Sequence, residues 1–205
     1  MFKNKSVWWV IGIVVLIAAL LMVGRITKRP AQTVSDPSTL PGLQTGNVPW
    51  PPEIEHLALR LSQDGLPALS AEGTVLHIHQ HIDIFIDGKP IVVPANIGIS
   101  QAAGFISPIH VHDTTGVIHE ESPTIQDFSL GQFFDIWGVK FTKDCIGGYC
   151  SADAKLLKVY SNGTLVEGDP RKLKLEAHQE IAITYGTNEE APTSTPSSFA
   201  FPIGE

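Results

Sequence analysis

The chain has 205 residues, 43% of them hydrophobic and 17% charged, which supplies enough apolar material for a packed core and too little charge for a disordered chain. Its 18 glycines and 15 prolines favour a turn-rich, mainly β protein over a helix bundle. The net charge of −7 is unevenly placed: five of the 14 basic residues lie in the first 30 positions with no acid among them, leaving nine bases against 21 acids in the remainder. That acidic body repels phosphate backbones, which argues against nucleic acid as a partner, and it tolerates cations well.

Val7 to Gly24 reads VWWVIGIVVLIAALLMVG, without a charge. At 1.5 Å per residue such a helix spans roughly 27 Å, just enough for a bilayer core. Trp8 and Trp9 mark one end, where indole rings favour the headgroup level. A cleaved signal peptide would have a shorter apolar run followed by a small-x-small site, whereas here Arg25 follows at once. Residues 1–29 are therefore expected to be an uncleaved transmembrane signal anchor, the chain's contact with the membrane. A tiny N-terminal tail and a long C-terminal body suit a single-pass cell-membrane protein whose body is extracytoplasmic. Residues 30–52, rich in Pro, Ser, Thr and Gly, read as a linker. Pro51 and Pro52 then open a short helix with Ile54, Leu57, Ala58 and Leu61 on one face and Gly65 as its stop.

From about Val75 the pattern changes to period two. Leu76, Ile78, Gln80, Ile82, Ile84 and Ile86 alternate with His77, His79, His81, Asp83 and Phe85. Strand side chains alternate faces, so one face becomes a largely aliphatic stripe and the other a row of three histidines and an aspartate about 7 Å apart. Asp87-Gly88 signals a hairpin turn, with Pro90 to Pro94 as the return strand. A second cluster follows in Ser107 to Ser122. If Thr114-Thr115 is a two-residue turn, His112 faces Val117 and His110 faces His119, so His110, His112 and His119 share one side of the hairpin.

Ser129 and Gln132 form a capping box for a short helix whose Leu130, Phe133, Phe134 and Trp137 share a face. Lys155 to Tyr160 reads as a strand that turns at Asn162-Gly163, and Leu173 to Tyr185 supplies the last strand or pair, with His178 near its middle. Residues 187–205 read as a disordered tail closing a domain over 53–186. The expected fold is mainly β: an antiparallel β-sandwich or small barrel with one or two short helices, preceded by one N-terminal transmembrane helix. Its core stripe is expected to contain Ile78, Ile82, Ile84, Val111 and Ile183. The two cysteines, Cys145 and Cys150, enclose only Ile-Gly-Gly-Tyr. A disulfide is the first reading, a free pair or a metal pair the alternatives, and a disulfide implies an oxidising compartment outside the cytoplasm.

Six of the eight histidines fall in the two clusters with matched parity. Packing that many imidazoles on one surface without a cation wastes burial and risks like-charge repulsion near pH 6. A bound divalent transition metal is the reading preferred over a metal-free polar network or a pH-responsive surface. His110, His112 and His119 are expected to converge on one face. His79 and His81 join from the first strand to complete one metal centre or two neighbouring ones. His77, His178, Asp83 and Glu120 are reserve ligands, and His56 is uninvolved. Beyond Met1 and Met22 there is no methionine, and paired cysteines offer no thiolate, so Cu(I) carriage and a blue-copper centre are disfavoured and Cu(II) or Zn(II) remain. Three classes of function follow. The first is a metal-binding domain that binds, buffers or delivers the ion. The second is a metalloenzyme with an open three-histidine site and Asp83, Asp113, Glu120 or Glu121 as general base. The third is a metal-free interaction domain of a membrane complex.

The run HIHQHIDIFIDGKP, then HVHDTTGVIHEESP, then SLGQFFDIWG, resembles a set of uncharacterised membrane-anchored or exported prokaryotic proteins over roughly residues 75–185. The resemblance implies location rather than chemistry, because no activity is assigned to the set. Cupins also use His-x-His, and copper-zinc superoxide dismutases a similar His-Val-His, but neither pattern continues here, and no role transfers from either.

Overall fold

The alternation over residues 76–86 produces the longest strand among the described residues, β1 (Leu76–Ile86), and the main sheet is arranged about it. The computed structural model describes residues 36–192 and 194–202. The expected anchor over residues 1–29 lies outside them, and among the described residues no helix is long and apolar enough to cross a membrane.

The strands in chain order are β2 (Lys89–Ile91), β3 (Ile99–Ser100), β4 (Phe105–Ile106), β5 (Ile109–His110), β6 (Val117–Ser122), β7 (Cys145–Ile146), β8 (Tyr149–Cys150), β9 (Leu156–Ser161), β10 (Thr164–Leu165) and β11 (Gln179–Gly186). The main sheet runs β10-β9-β11-β1-β6-β5, with β2 on β1 beyond the end of β6. Two hairpins stand apart, β3 with β4 and β7 with β8. The sheet does not close, so the fold is no barrel, and it is mixed rather than antiparallel. β1 and β11 pair in parallel, Ile82 beside Ile181 and Ile84 beside Ile183. Period-two alternation specifies which face a residue takes but is silent on strand direction. A parallel pair needs a long crossover, which residues 87–178 supply.

Local signals act as written. Asp87 and Gly88 (φ 50° and 73°) and Asn162 and Gly163 (φ 49° and 78°) make the left-handed turns that match the twist of a hairpin. The second cluster departs from its expected turn. The His110–His119 register is present, but β5 ends at His110 and residues 111–116 form a loop instead of a two-residue turn at Thr114-Thr115.

Helix α1 (Leu57–Gln63) starts later than Pro51-Pro52 suggested, because the preceding segment crosses the end of the second helix, where the Glu53 amide donates to the Trp137 carbonyl at 3.2 Å. Ala58 is exposed, and the buried stripe of α1 is Leu57, Arg60 and Leu61. Helix α2 (Leu130–Trp137) carries the capping box: Ser129 Oγ accepts from the Gln132 amide, and Gln132 Oε1 accepts from the Ser129 amide. Every residue of α2 is buried. Phe133, Phe134 and Trp137 join Ile82, Ile84, Val111, Ile118, Ile181 and Ile183 in one core, where each buried side chain contributes about 1.5–3 kcal/mol. Ile78, nearer the strand's start, is only half-buried. Inside this apolar layer the Arg171 guanidinium grips the Asp135 carboxylate with two bonds of 3.0 and 2.6 Å.

The segments flanking the domain are also packed. Within the stretch read as a linker, Leu40 and Trp50 are buried, and Trp137 Nε1 donates to the Trp50 carbonyl at 3.1 Å. Within the stretch read as a tail, Phe199 stacks on His81 with ring centroids 3.8 Å apart, and Phe201 packs on His178. Cys145 and Cys150 face each other across the β7–β8 hairpin and are joined as a disulfide.

Candidate metal centre

Strand register assembles the site. On the face of the sheet opposite α2, β1 presents His77 and His79, which lie directly across from Glu121 and His119 of β6. On its other side β6 meets β5, where His119 faces His110. His119 therefore has an imidazole neighbour on both flanks, with ring centroids 4.5 Å from His79 and 5.3 Å from His110. His112 follows on the loop, 4.6 Å from His119 between centroids. The floor consists of His79, His110, His119 and Glu121, which are buried or nearly so, and the rim consists of His77 and His112, 53% and 42% exposed. A loop before β1 brings Glu72 Oε1 within 3.4 Å of His112 Nε2. It can do so because Gly73 presses on the backbone of Ser122, where any Cβ would lie only 2.2 Å from the carbonyl carbon.

The nitrogens converge. His77 Nε2 and His79 Nε2 are 3.2 Å apart, and His110 Nε2 and His112 Nε2 are 3.1 Å apart. Glu121 Oε1 lies 3.2 Å from His77 Nε2, 3.3 Å from His119 Nδ1 and 3.9 Å from His110 Nε2. Ligands on a tetrahedral ion at about 2.05 Å are separated by about 3.3 Å, so the spacings of 3.1 to 3.3 Å match a ligand shell, while the 3.9 Å from Glu121 to His110 would have to shorten around an ion. A shared proton would give each facing pair one hydrogen bond, yet the buried His119 Nδ1 makes no well-aligned hydrogen bond among the described residues, although Glu121 Oε1 lies 3.3 Å from it. Two groups of four thus have all their ligand atoms within 4.8 Å of one another: His77, His79, His119 and Glu121, and His110, His112, His119 and Glu121. Both could hold a metal ion.

Burial sets the protonation of this floor. It pushes the His110 imidazole down to about 3, helped by the charge of His112, and the His119 imidazole down to about 4, helped by that of His79. Both are neutral at pH 7, with lone pairs available to a cation. Burial, reinforced by Glu72, pushes the Glu121 carboxyl up to about 7, so an arriving cation meets a group ready to release its proton.

Several sequence-predicted residues lie elsewhere. His81 turns away from the cluster: its Nδ1 is 2.8 Å from Glu180 Oε2 and its Nε2 2.9 Å from the Thr115 carbonyl. A carbonyl can only accept, so Nε2 donates to it and Nδ1 faces the carboxylate, which occupies both nitrogens. Burial opposes its charge, but the Glu180 carboxylate outweighs burial and holds the imidazole above its ordinary pKa. Asp83 groups with His81 and Glu180, apart from the histidine floor. Glu120 is one residue out of phase with His119 and lies on the core face, across from Ile78 and Ile109. Asp113 Oδ1 accepts from the Thr115 amide and hydroxyl and so builds the turn. His178 precedes β11 in a left-handed conformation (φ 58°), and its ring packs on Phe201. His56 pairs with Glu53 at 2.9 Å, away from the other histidines. The carboxylate that sequence reasoning left out of the ligand set is Glu121, although the two-residue spacing from His119 already placed it on the same face. Glu180 and Glu72 arrive through non-local pairing and carried no local signal.

No protein-family model, curated protein or solved structure matches the chain.

Proposed function

We propose that this is a membrane-tethered, extracytoplasmic domain that binds a divalent transition metal, Cu(II) or Zn(II), and buffers or delivers it. The observation that carries the reading is the convergence of His110, His112, His119 and Glu121, whose ligand atoms all lie within 4.8 Å of one another. Imidazole with one carboxylate suits these two ions. The half-exposed rim of His77 and His112 favours exchange of the ion with solvent over permanent sequestration. The location rests on the uncharged run from Val7 to Gly24 and on the Cys145–Cys150 pair, which persists in oxidising compartments.

The test is elemental analysis of the full chain, purified in detergent without chelators and re-equilibrated with Cu(II) or Zn(II). The wild type retains stoichiometric metal, and a His110→Ala/His119→Ala variant loses it while keeping its far-ultraviolet circular dichroism. Undiminished binding by that variant overturns the reading. The same open rim favours a second reading, a metalloenzyme in which His110, His112 and His119 would hold the ion and water, in place of Glu121, would take the fourth position and be acidified by the ion. Ester hydrolysis by the metal-loaded chain, lost in the same variant, would support it.

A further inference from the structure

We infer that the histidine face is built for two ions rather than one, with the Glu121 carboxylate shared between them; the inference rests on the metal-binding reading above. The six ligand side chains fall into two sets of four that have His119 and Glu121 in common. Each set has its own pair of facing imidazoles, His77 with His79 on one side and His110 with His112 on the other, and the two Nε2 separations are nearly equal at 3.2 and 3.1 Å. A single tetrahedral ion uses four ligands. Seated among His110, His112, His119 and Glu121, it would leave His77 and His79 facing each other with no ion between them.

Glu121 is placed to serve both sides. Its Oε1 is 3.2 Å from His77 Nε2 in the first set and 3.9 Å from His110 Nε2 in the second. A carboxylate offers about four lone-pair sites on two oxygens, and carboxylate-bridged ions sit about 3.5–4 Å apart. His119 belongs to both sets and completes one of them through Nδ1, 3.3 Å from the same oxygen. Neutral imidazoles and one carboxylate do not balance two divalent charges. Glu72 at the rim adds a second negative charge beside His112, and the exposed mouth admits hydroxide or another small anion. The ions repel across the bridge, so the second binds more weakly than the first.

Titration of the full chain with Cu(II), followed by equilibrium dialysis and electron paramagnetic resonance, tests this. The wild type should take up two Cu(II) per chain in two steps. The second step should remove the signal of an isolated Cu(II) and bring in a half-field transition from a coupled pair. His77→Ala, at a rim position that is half-exposed and so leaves folding intact, should bind one Cu(II) with an isolated-ion spectrum. One ion per wild-type chain, or two that are magnetically independent, overturns the two-ion inference and leaves the metal-binding reading standing. No bound ion overturns both.

Discussion

Replacing Glu121 by glutamine separates the two influences that meet at this carboxyl. The substitution keeps the shape, removes the charge and leaves a poor ligand. Without metal it should stabilise the protein. Burial and Glu72 push the folded carboxyl up to about 7 from an ordinary 4.5. As pH rises between those values the unfolded chain ionises first, so native stability falls across that window and stays lowered above it. The full linkage would be about 3 kcal/mol, and solvent at the open rim screens it to about 1–2 kcal/mol. At about 2–4 °C per kcal/mol, metal-free Glu121→Gln should melt roughly 2–8 °C above the wild type at pH 8 and level with it at pH 4.5. With metal the sign reverses. A four-ligand zinc site is worth about 10–16 kcal/mol, so losing one ligand costs about 2.5–4 kcal/mol, or roughly a hundredfold or more in affinity. At an ion concentration about 100 times the wild-type Kd, binding stabilises the wild type by about 2.7 kcal/mol, and the variant, with its Kd now near that concentration, by about 0.4 kcal/mol. The corresponding shifts are about 5–11 °C and about 1–2 °C. Thermal melts in EDTA and in Zn(II), at both pH values, read all four quantities. A metal-induced shift that survives the substitution, or a metal-free variant that melts below the wild type at pH 8, refutes the reasoning.

Asp64, buried beside Asp135, has its carboxyl pushed up to about 8 by burial and then by the Asp135 charge. Stability should therefore decline between about pH 4 and pH 8, and Asp64→Asn should raise the urea midpoint at pH 8 more than at pH 5; equal shifts would show that no such linkage exists. Arg171→Met strips the buried Asp135 carboxylate of its two-bond partner and should destabilise by about 3–5 kcal/mol, read from urea unfolding, with a loss under 1 kcal/mol counting against the pairing. Phe199→Ala should remove the ring-current shift from the His81 ring protons, given a stacking distance of 3.8 Å, at a cost of about 0.5–1.5 kcal/mol; unchanged resonances would mean the tail does not dock there.

What the sequence disclosed about this molecule was local. The alternation of β1, the left-handed turns at Asp87-Gly88 and Asn162-Gly163, the Ser129–Gln132 cap and the His110–His119 pairing each depend on neighbours within about a dozen positions, and each is present. What stayed hidden depends on distant pairing. The parallel seam between β1 and β11 joins residues about a hundred positions apart, and it is that seam that puts Glu180 beside His81 and diverts this histidine from the cluster. Parity alone would have preferred Glu121 to Glu120, since a strand residue two positions from His119 shares its face and an adjacent one does not. The burial of Trp50 and the stacking of Phe199 were illegible for a different reason. Isolated aromatics in Pro- and Ser-rich stretches carry no periodicity, and only the surface they dock on reveals their use.

The two faces of the sheet divide the work. Strands β1, β5 and β6 turn Ile82, Ile109 and Ile118 toward the aromatic side chains of α2, and the same strands turn His79, His110 and His119 the other way. The backbone beneath the ligands is thereby held by a core that contains none of them, so the imidazoles are positioned before any ion arrives and little ordering cost falls on binding. The rim differs, because His112 and Glu72 come from loops and His77 from the exposed start of β1. On the proposed metal-binding reading, an ion would meet floor nitrogens held by strands and a rim that only partly covers them, with His77 and His112 exposed to solvent. Small-molecule chelators should for that reason reach the site from the rim without unfolding the domain, whereas substitutions in α2 should loosen the floor ligands together.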